Sequence, residues 1–321
     1  MKKYLVGVAT WALSSASALA ADMPYYNPPP ARYVAPPIYT WTGFYVGVNL
    51  GGTFAISPFI KPSQNAVDLP QTVALVPAPL PPDANIAAVA ATTAAARLKA
   101  DNSGFIGGAQ IGYDWQAGNG GVIGIEADAE GFSRIRARAS SALLMDVPDG
   151  GGYQIGAFTA GSRSLNFLGT VRLRAGWLAL PTLLLYATGG FAYGQISGDY
   201  GVTQAYFPQP GSPYLLAAWT GQGSYSKIAT GWTLGFGTEW MIYPGVTIRG
   251  EYLYYSLGSV QTSGTIQKDP TSPPIVGPAW QNLTRSYTSY NGNIFRVGLN
   301  IRFSDYTPLV KPVAGPIYAR Y

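Results

Sequence analysis

Residues 295 to 303 read FRVGLNIRF, and this stretch decides the fold. In an extended chain Phe295, Val297, Leu299, Ile301 and Phe303 fall on one face, and Arg296, Gly298, Asn300 and Arg302 on the other. Side chains of a strand alternate sides with a period of two, so one face is apolar throughout while the other carries two arginines. A water-soluble barrel would bury the first face. A membrane barrel would turn it to lipid and enclose the second in its lumen. The rest of the chain chooses between them.

Toward the N-terminus the same alternation recurs seven times. Near 246–257, Val246, Ile248, Tyr252 and Tyr254 oppose Thr247, Arg249, Glu251 and Tyr255; near 229–241, Trp232, Leu234, Phe236 and Trp240 oppose Thr233, Gly235, Gly237 and Glu239. Near 182–196, Leu185, Ala187, Phe191 and Tyr193 oppose Tyr186, Thr188 and Gly190; near 165–177, Phe167, Val171, Leu173 and Trp177 oppose Thr170, Arg172 and Arg174. Near 122–133, Ile123, Ile125, Ala127 and Ala129 oppose Glu126, Asp128 and Glu130; near 103–115, Phe105, Ala109, Ile111, Tyr113 and Trp115 oppose Gly108, Gln110, Gly112 and Asp114. From Trp41 onward, Phe44, Val46, Val48 and Leu50 oppose Tyr45, Gly47, Asn49 and Gly51. Segments of roughly eleven to thirteen residues are what a tilted membrane-spanning strand requires.

The connections set the topology. Residues 117–121, 178–181 and 242–245 are tight turns rich in Gly, Pro or Asn, whereas 55–102, 134–164, 197–228 and 258–291 are long. Strict alternation of short and long joins predicts short periplasmic turns, long extracellular loops and both ends of the barrel in the periplasm. In the first long loop, Ala84 to Ala100 has helical propensity. Thr92 and Thr93 interrupt it and no clear cap precedes it, so the expectation is a mobile surface loop, with a short helix folded over or into the barrel mouth as the alternative.

Composition chooses the lipid-facing reading. The chain is 47% hydrophobic and 11% charged, against about 25% charged for an ordinary soluble domain. The polar face consists of Gly, Thr, Asn and Tyr with scattered charges, not the dense Lys and Glu coat of a water-exposed wall. Trp41, Trp115, Trp177, Trp240 and Tyr243 gather near strand ends, the position of a membrane-interface aromatic belt. The expected fold is therefore all-β: an eight-stranded antiparallel up-and-down transmembrane barrel spanning 41–303.

That orientation encloses Asp114, Glu126, Asp128, Glu130, Glu239 and Glu251 with Arg172, Arg174, Arg249, Arg296 and Arg302. Eight strands leave an interior that side chains just fill, and buried charges persist when paired. The expectation is a salt-bridged plug; the alternative is a narrow polar conduit.

Outside the barrel, residues 1–20 read as a signal peptide, with Lys2 and Lys3, an apolar run from Leu5 to Leu13, and Ala18-Leu19-Ala20 as cleavage site. Residues 21–40, which include PYYNPPPARYVAPP, read as a Pro-rich periplasmic arm, and 304–321, with Pro308, Pro312 and Pro316, as an extended periplasmic tail. Both ends are candidates for cell-wall contact. The chain contains neither Cys nor His, which removes disulfides, thiolate chemistry and the commonest base and metal ligand. No cofactor or catalytic role is expected, and a net charge of +5 is too mild and dispersed for nucleic acid.

Nine pieces carry a resemblance: WTGFYVGVNLGG (41–52), GGAQIGYDWQ (107–116), GIEAD (124–128), GTVRLRAGW (169–177), LLYATGGFAYG (184–194), GWTLGFGTEW (231–240), EYLYYSLG (251–258), FRVGLNIRF (295–303), and Ala21-Asp22 after the signal. Together they resemble the alphaproteobacterial outer-membrane β-barrel family, the porin-like 25 and 31 kDa major surface proteins. The resemblance implies an abundant surface protein that supports envelope integrity, with outer-membrane lipid, lipopolysaccharide and the barrel assembly machinery as partners. It also implies Phe303 as assembly signal, although relatives end on that Phe and here residues 304–321 follow it. Some relatives bind haemin; without His, loop tyrosines such as Tyr206 and Tyr214 are the axial candidates. The functional expectation is a structural surface barrel, with a small porin and a loop-mediated ligand or host-surface receptor as alternatives.

Overall fold

The computed structural model describes residues 40–68, 84–101, 103–133, 136–148, 154–207, 217–270 and 280–303. The signal segment, the arm up to residue 39, the tail from 304 and Tyr214 lie outside them. In chain order the elements are β1 (Gly43–Ala55), β2 (Phe59–Asp68), α1 (Ala84–Thr93), β3 (Leu98–Lys99), β4 (Gly104–Gln116), β5 (Gly121–Phe132), β6 (Arg136–Asp146), β7 (Gln154–Leu180), β8 (Leu183–Phe207), β9 (Ala217–Tyr243), β10 (Val246–Lys268) and β11 (Trp280–Phe303). Among the described residues no helix is long and apolar enough to cross a membrane.

Eight strands close a ring in the order β1-β4-β5-β7-β8-β9-β10-β11, and β11 returns to β1 from Phe44↔Phe303 to Ala55↔Gly292. Every pairing is antiparallel. Closure leaves no sheet edge in this ring, so its strands pair on both sides within the wall, as hydrocarbon demands. The turns are as short as the sequence indicates. Pro181-Thr182 joins β7 to β8, Pro244-Gly245 joins β9 to β10, and Gly245 sits at φ 78° in a conformation that suits glycine.

The long connections differ from expectation. Residues read as loops continue as strand: β7 to β11 run 23 to 27 residues, about twice the length of β1, β4 and β5. Above the short strands, β2 takes over as the neighbour of β11, β3 pairs β2, and β6 pairs β7. The ring thus carries an upper wall, made on the β7–β11 side by extensions of the same strands, with the β9–β10 ladder interrupted between Ser256 and Gln267, and rebuilt from short pieces on the other side. The reason the sequence reads as loop is composition: β10 above Gly258 is VQTSGTIQ, rich in turn formers yet alternating strictly.

The two halves invert. In the lower half of β8, Leu185, Ala187 and Phe191 face out while Tyr186, Thr188 and Gly190 face in. Farther up the same strand Gln195, Ser197, Asp199 and Thr203 face out, and Ile196, Tyr200, Val202 and Tyr206 are buried inside. On β10 the change follows a bulge between Ser256 and Ser259, where Gly258 adopts φ 77°. Tyr252 and Tyr254 face out below it, and Ser259, Gln261, Ser263 and Thr265 above. The inserted residue switches the numbering, so that odd positions face the lumen below the bulge and even positions above it, and the strand keeps one face inward throughout. What changes is the solvent outside: hydrocarbon against the lower belt, water against the upper wall. In the belt large apolar side chains stand open, with Phe105 78% and Leu234 59% exposed.

The upper interior is a hydrophobic core. Ala87, Ala90 and Ala94 are buried against Ile60, Leu98, Ile155, Val202, Trp219 and Ile266. The Ala-rich segment is therefore a helix seated within the wall and not an exposed loop. Two carbonyls at its C-terminal end accept side-chain bonds there: Gln204 Nε2 donates to Ala90 O (2.5 Å), and Gln64 Nε2 to Ala94 O (3.2 Å). Small side chains on one helix face let the backbone come close enough for those bonds. Tyr206, expected on an open loop, is buried in the same core.

Candidate functional site in the barrel lumen

The inward face of the lower ring places all eleven charged residues named from the sequence in the lumen, and all are buried. They lie in three tiers. Nearest the turns, Arg302 reaches Asp114 (2.6 Å) and Glu239 (3.2 Å), and Arg174 reaches Glu239 (2.7 Å). In the middle, Arg172 pairs with Glu126, with Asp128 (2.6 Å) and with Glu251 (3.1 Å), and Arg249 also pairs with Glu126. In the upper tier Arg296 pairs with Glu130, with Glu251 (2.5 Å) and with Asp128 (3.1 Å). Arg174, 3.6 Å from both Asp114 and Glu126, joins the lowest tier to the middle one. Six acids and five bases form one connected network.

The cross-strand register produces this arrangement. Glu126 on β5 lies opposite Arg172 on β7, and Arg296 on β11 opposite Glu251 on β10, so the first pairs are neighbours in the sheet. The remaining contacts cross the lumen. Glycines make room for the large rings between them: a Cβ on Gly112 would lie 2.4 Å from the Tyr45 ring.

Several uncharged residues that the sequence put on the inner face, without assigning them a role, complete the network. Tyr45 OH donates to Glu126 (2.6 Å) and accepts from Arg174 Nη1 (2.8 Å). Tyr186 OH donates to Glu251 (3.0 Å), and its ring lies 4.1 Å from the Arg174 guanidinium. Thr247 and Asn300 both donate to Glu239 Oε1, at 2.6 and 2.9 Å, and Gln110 donates to Asn300 at 2.7 Å. Their common signal in the sequence is parity alone: each occupies the strand face that carries the charges.

Trp41 departs from expectation. It is fully buried in the lumen and not in the aromatic belt, where Trp115, Trp177, Trp240 and Tyr243 do stand exposed. Its indole Nε1 donates to Pro181 O (3.0 Å), Arg302 Nη2 donates to its carbonyl (2.6 Å), and the Arg302 guanidinium lies 4.9 Å from its ring. With Val122, Leu184 and Met241 it floors the barrel. Trp41 precedes β1 but shares the odd numbering of inward Tyr45 and Asn49, so the β1 alternation carried back puts its indole on the lumen side.

Above the charges, Ile106, Leu168, Ala192, Leu253 and Ile294 form an apolar layer. Over it Arg163 on β7 is buried; it donates to the carbonyls of Ser57 (2.6 Å) and Ser289 (2.8 Å) and lies 4.8 Å from the Tyr290 ring. Burial lowers its pKa from the ordinary arginine value and raises that of Tyr290. The lumen is thus filled from Trp41 to α1 by indole, ion pairs, aliphatic side chains, a pinned guanidinium and a helix. Among the described residues no cluster of His, Cys, Asp and Glu is arranged to hold a metal ion.

A family model for the outer membrane protein beta-barrel domain matches residues 8–303. The 31 kDa outer-membrane immunogenic protein of Brucella melitensis biotype 1 is 30% identical over 252 residues, 77% of this chain and 84% of that protein. Its counterpart from Brucella suis biovar 1 matches to the same extent. Among solved structures, that of the outer membrane protein OprG from Pseudomonas aeruginosa is similar at 10% identity, covering 84% of this chain and 100% of that one, with a TM-score of 0.33.

Proposed function

The chain belongs to the outer membrane protein β-barrel family and resides in the bacterial outer membrane, and from that premise we propose that it is a structural, non-conducting surface barrel that supports the envelope. One observation carries the reading: the eleven lumen charges form a single paired network, closed by Trp41 below and by an apolar layer above. An ion path needs water-accessible polar groups along its length; here each of the five guanidinium groups is buried and ion-paired to at least one carboxylate, while single atoms such as Arg249 Nη2, Asp128 Oδ1 and Glu130 Oε2 are buried with no hydrogen-bond partner. The filled lumen stiffens the ring, while the upper wall offers the outward surface. Two Brucella relatives are named as immunogenic proteins, which fits an upper wall turned to the surroundings.

The same reading gives the chain no catalytic role and no cofactor. Phe303, exposed at the end of β11, is the proposed recognition point for the assembly machinery, and the terminal segments are the proposed cell-wall contacts. Planar-bilayer recording tests the closed lumen. The mature protein should give no stepwise current, and a variant carrying both Arg172→Ala and Arg296→Ala should give small steps. Reproducible steps from the unaltered protein would replace this reading with the small-porin one.

A further inference from the structure

Charges on the outside of the upper wall are unevenly distributed. Above the belt, the outward positions of β8, β9 and β10 hold Gln, Ser, Thr, Gly, Ala, Ile and Phe, with Asp199 as their single charge, and Lys227 on β9 is exposed beside them. The rebuilt side, β11-β2-β3-β6, carries Arg285, Lys61, Lys99, Arg136 and Arg138, with Arg97 exposed just before β3. Their inward neighbours Thr284, Ile60, Leu98 and Ala137 are buried, so alternation aims these cations out. Asp199 pairs with Arg136 at 3.2 Å, Asp101 is exposed nearby and Asp146 is exposed at the far end of β6, leaving six cations and three acids, 6 − 3 = +3.

The height of this cluster matters as much as its sign. Phe59 follows Ile56 by three residues, Arg136 follows Ser133 by three, and Lys99 precedes Phe105 by six. At about 3.5 Å per extended residue, these residues lie within roughly 10–20 Å of the upper rim of the belt. That rim is apolar and open: Phe54, Ile56 and Phe105 are all exposed. The platform is also fixed from within. Ala100 N donates to Pro58 O (2.7 Å), and Arg163 grips Ser57 O. A band of cations directly above an apolar rim has the layout of a phosphorylated glycolipid: acyl chains below, phosphates at the surface.

We infer that this face docks a phosphorylated glycolipid of the outer leaflet, with its phosphates on Lys61, Lys99, Arg136 and Arg138 and its acyl chains along Phe54 and Phe105. The inference rests on the belt facing lipid and is independent of whether the lumen conducts. Exposed cations alone hold a free phosphate weakly, because water and salt screen them. Apolar contact beside them supplies the second half of the binding.

The test is native mass spectrometry of the full-length mature protein in detergent, titrated with bis-phosphorylated lipid A, dephosphorylated lipid A, phosphatidylglycerol and inorganic phosphate. Bis-phosphorylated lipid A should bind tightest. Each cation removed should weaken it by about fivefold, so Lys61→Gln with Lys99→Gln, and Arg136→Gln with Arg138→Gln, should each cost on the order of twentyfold. Lys227→Gln on β9 should change nothing. Retention of the compact band in unheated gel electrophoresis certifies that each variant is folded; should one pair fail to fold, the other decides. Unchanged binding by a folded pair overturns the site. Equal binding of phosphatidylglycerol, or of inorganic phosphate, overturns the choice of glycolipid. Folding in water without detergent would remove the lipid-facing belt itself and this inference with it.

Discussion

The lower and upper halves of β7 to β11 are built on one backbone and one alternation, yet they solve opposite problems. Below, Phe295, Val297 and Leu299 face out while Arg296 and Asn300 face in; above, Arg285, Tyr287 and Ser289 face out over inward Thr284, Ser286 and Thr288. Side-chain parity is a property of the strand, but the sign of its polarity belongs to the medium on each side. The consequence is that stability comes from different sources along one strand. The belt gains from lipid and must pair its interior charges. The upper wall gains from an apolar core under a polar coat, as a soluble protein does.

The largest effect should follow from unpairing the lower interior. Arg172→Ala removes the partner shared by Glu126, Asp128 and Glu251, and breaking such a buried network by one partner costs about 3–5 kcal/mol. Urea unfolding in lipid vesicles, followed by tryptophan emission, should show the loss. A change under about 1 kcal/mol would mean that water reaches these groups, and the closed-lumen reading would go with it.

A second pair of substitutions tests the outward faces directly. Val297→Arg in the belt should cost about 2–4 kcal/mol near the bilayer midplane, whereas Gln261→Arg, also outward but above the bulge, should stay within about 0.5 kcal/mol. Equal costs at both positions would erase the boundary placed near Ser256–Ser259. The upper core should then behave like any soluble core. Ile266→Ala, at a fully buried site beside α1, should cost about 2–4 kcal/mol. It should appear as protease cutting confined to the upper wall while the ring stays intact.

The sequence made the lower half legible because its contrast is extreme: Phe against Arg in FRVGLNIRF, Ile against Glu in GIEAD. Ring order, tight turns and the set of lumen charges follow from that contrast and from the turn residues. The upper half was illegible for a chemical reason. In VQTSGTIQ both faces are small and mostly polar, so the period of two is present without a strong difference in hydropathy. The helix was misplaced for the opposite reason: ten residues, half of them Ala, have little amphipathic signature, and only the pocket formed by Ile60, Leu98 and Val202 makes burial favourable. Trp41 misled because an aromatic near a strand end has two uses, anchoring to the interface or stopping the lumen. Its odd number, shared with inward Tyr45, points to the second use, and the Pro181 carbonyl and Arg302 guanidinium hold it there.

The smallest effect concerns pH and the seat of α1. Tyr200, on the inner face of the upper wall, donates a long bond to Ala94 O (3.4 Å), and burial raises its pKa from the ordinary 10.0. When the helix lifts, the phenol regains water and its ordinary pKa. The seated state therefore holds a proton that the open state loses in alkali, and seating is weakened as pH rises above about 10. Below that pH both states are protonated and the contribution is complete. Hydrogen exchange of α1 amides, corrected for intrinsic rate, should reveal an opening free energy that falls by at most about 1 kcal/mol per pH unit between 10 and 11. Tyr200→Phe should flatten this dependence while leaving the value at pH 8 nearly unchanged, because the bond it removes is long. A slope that survives in the Phe variant would move the titration to another group, and the upper core would lose its one pH-sensitive contact with the helix.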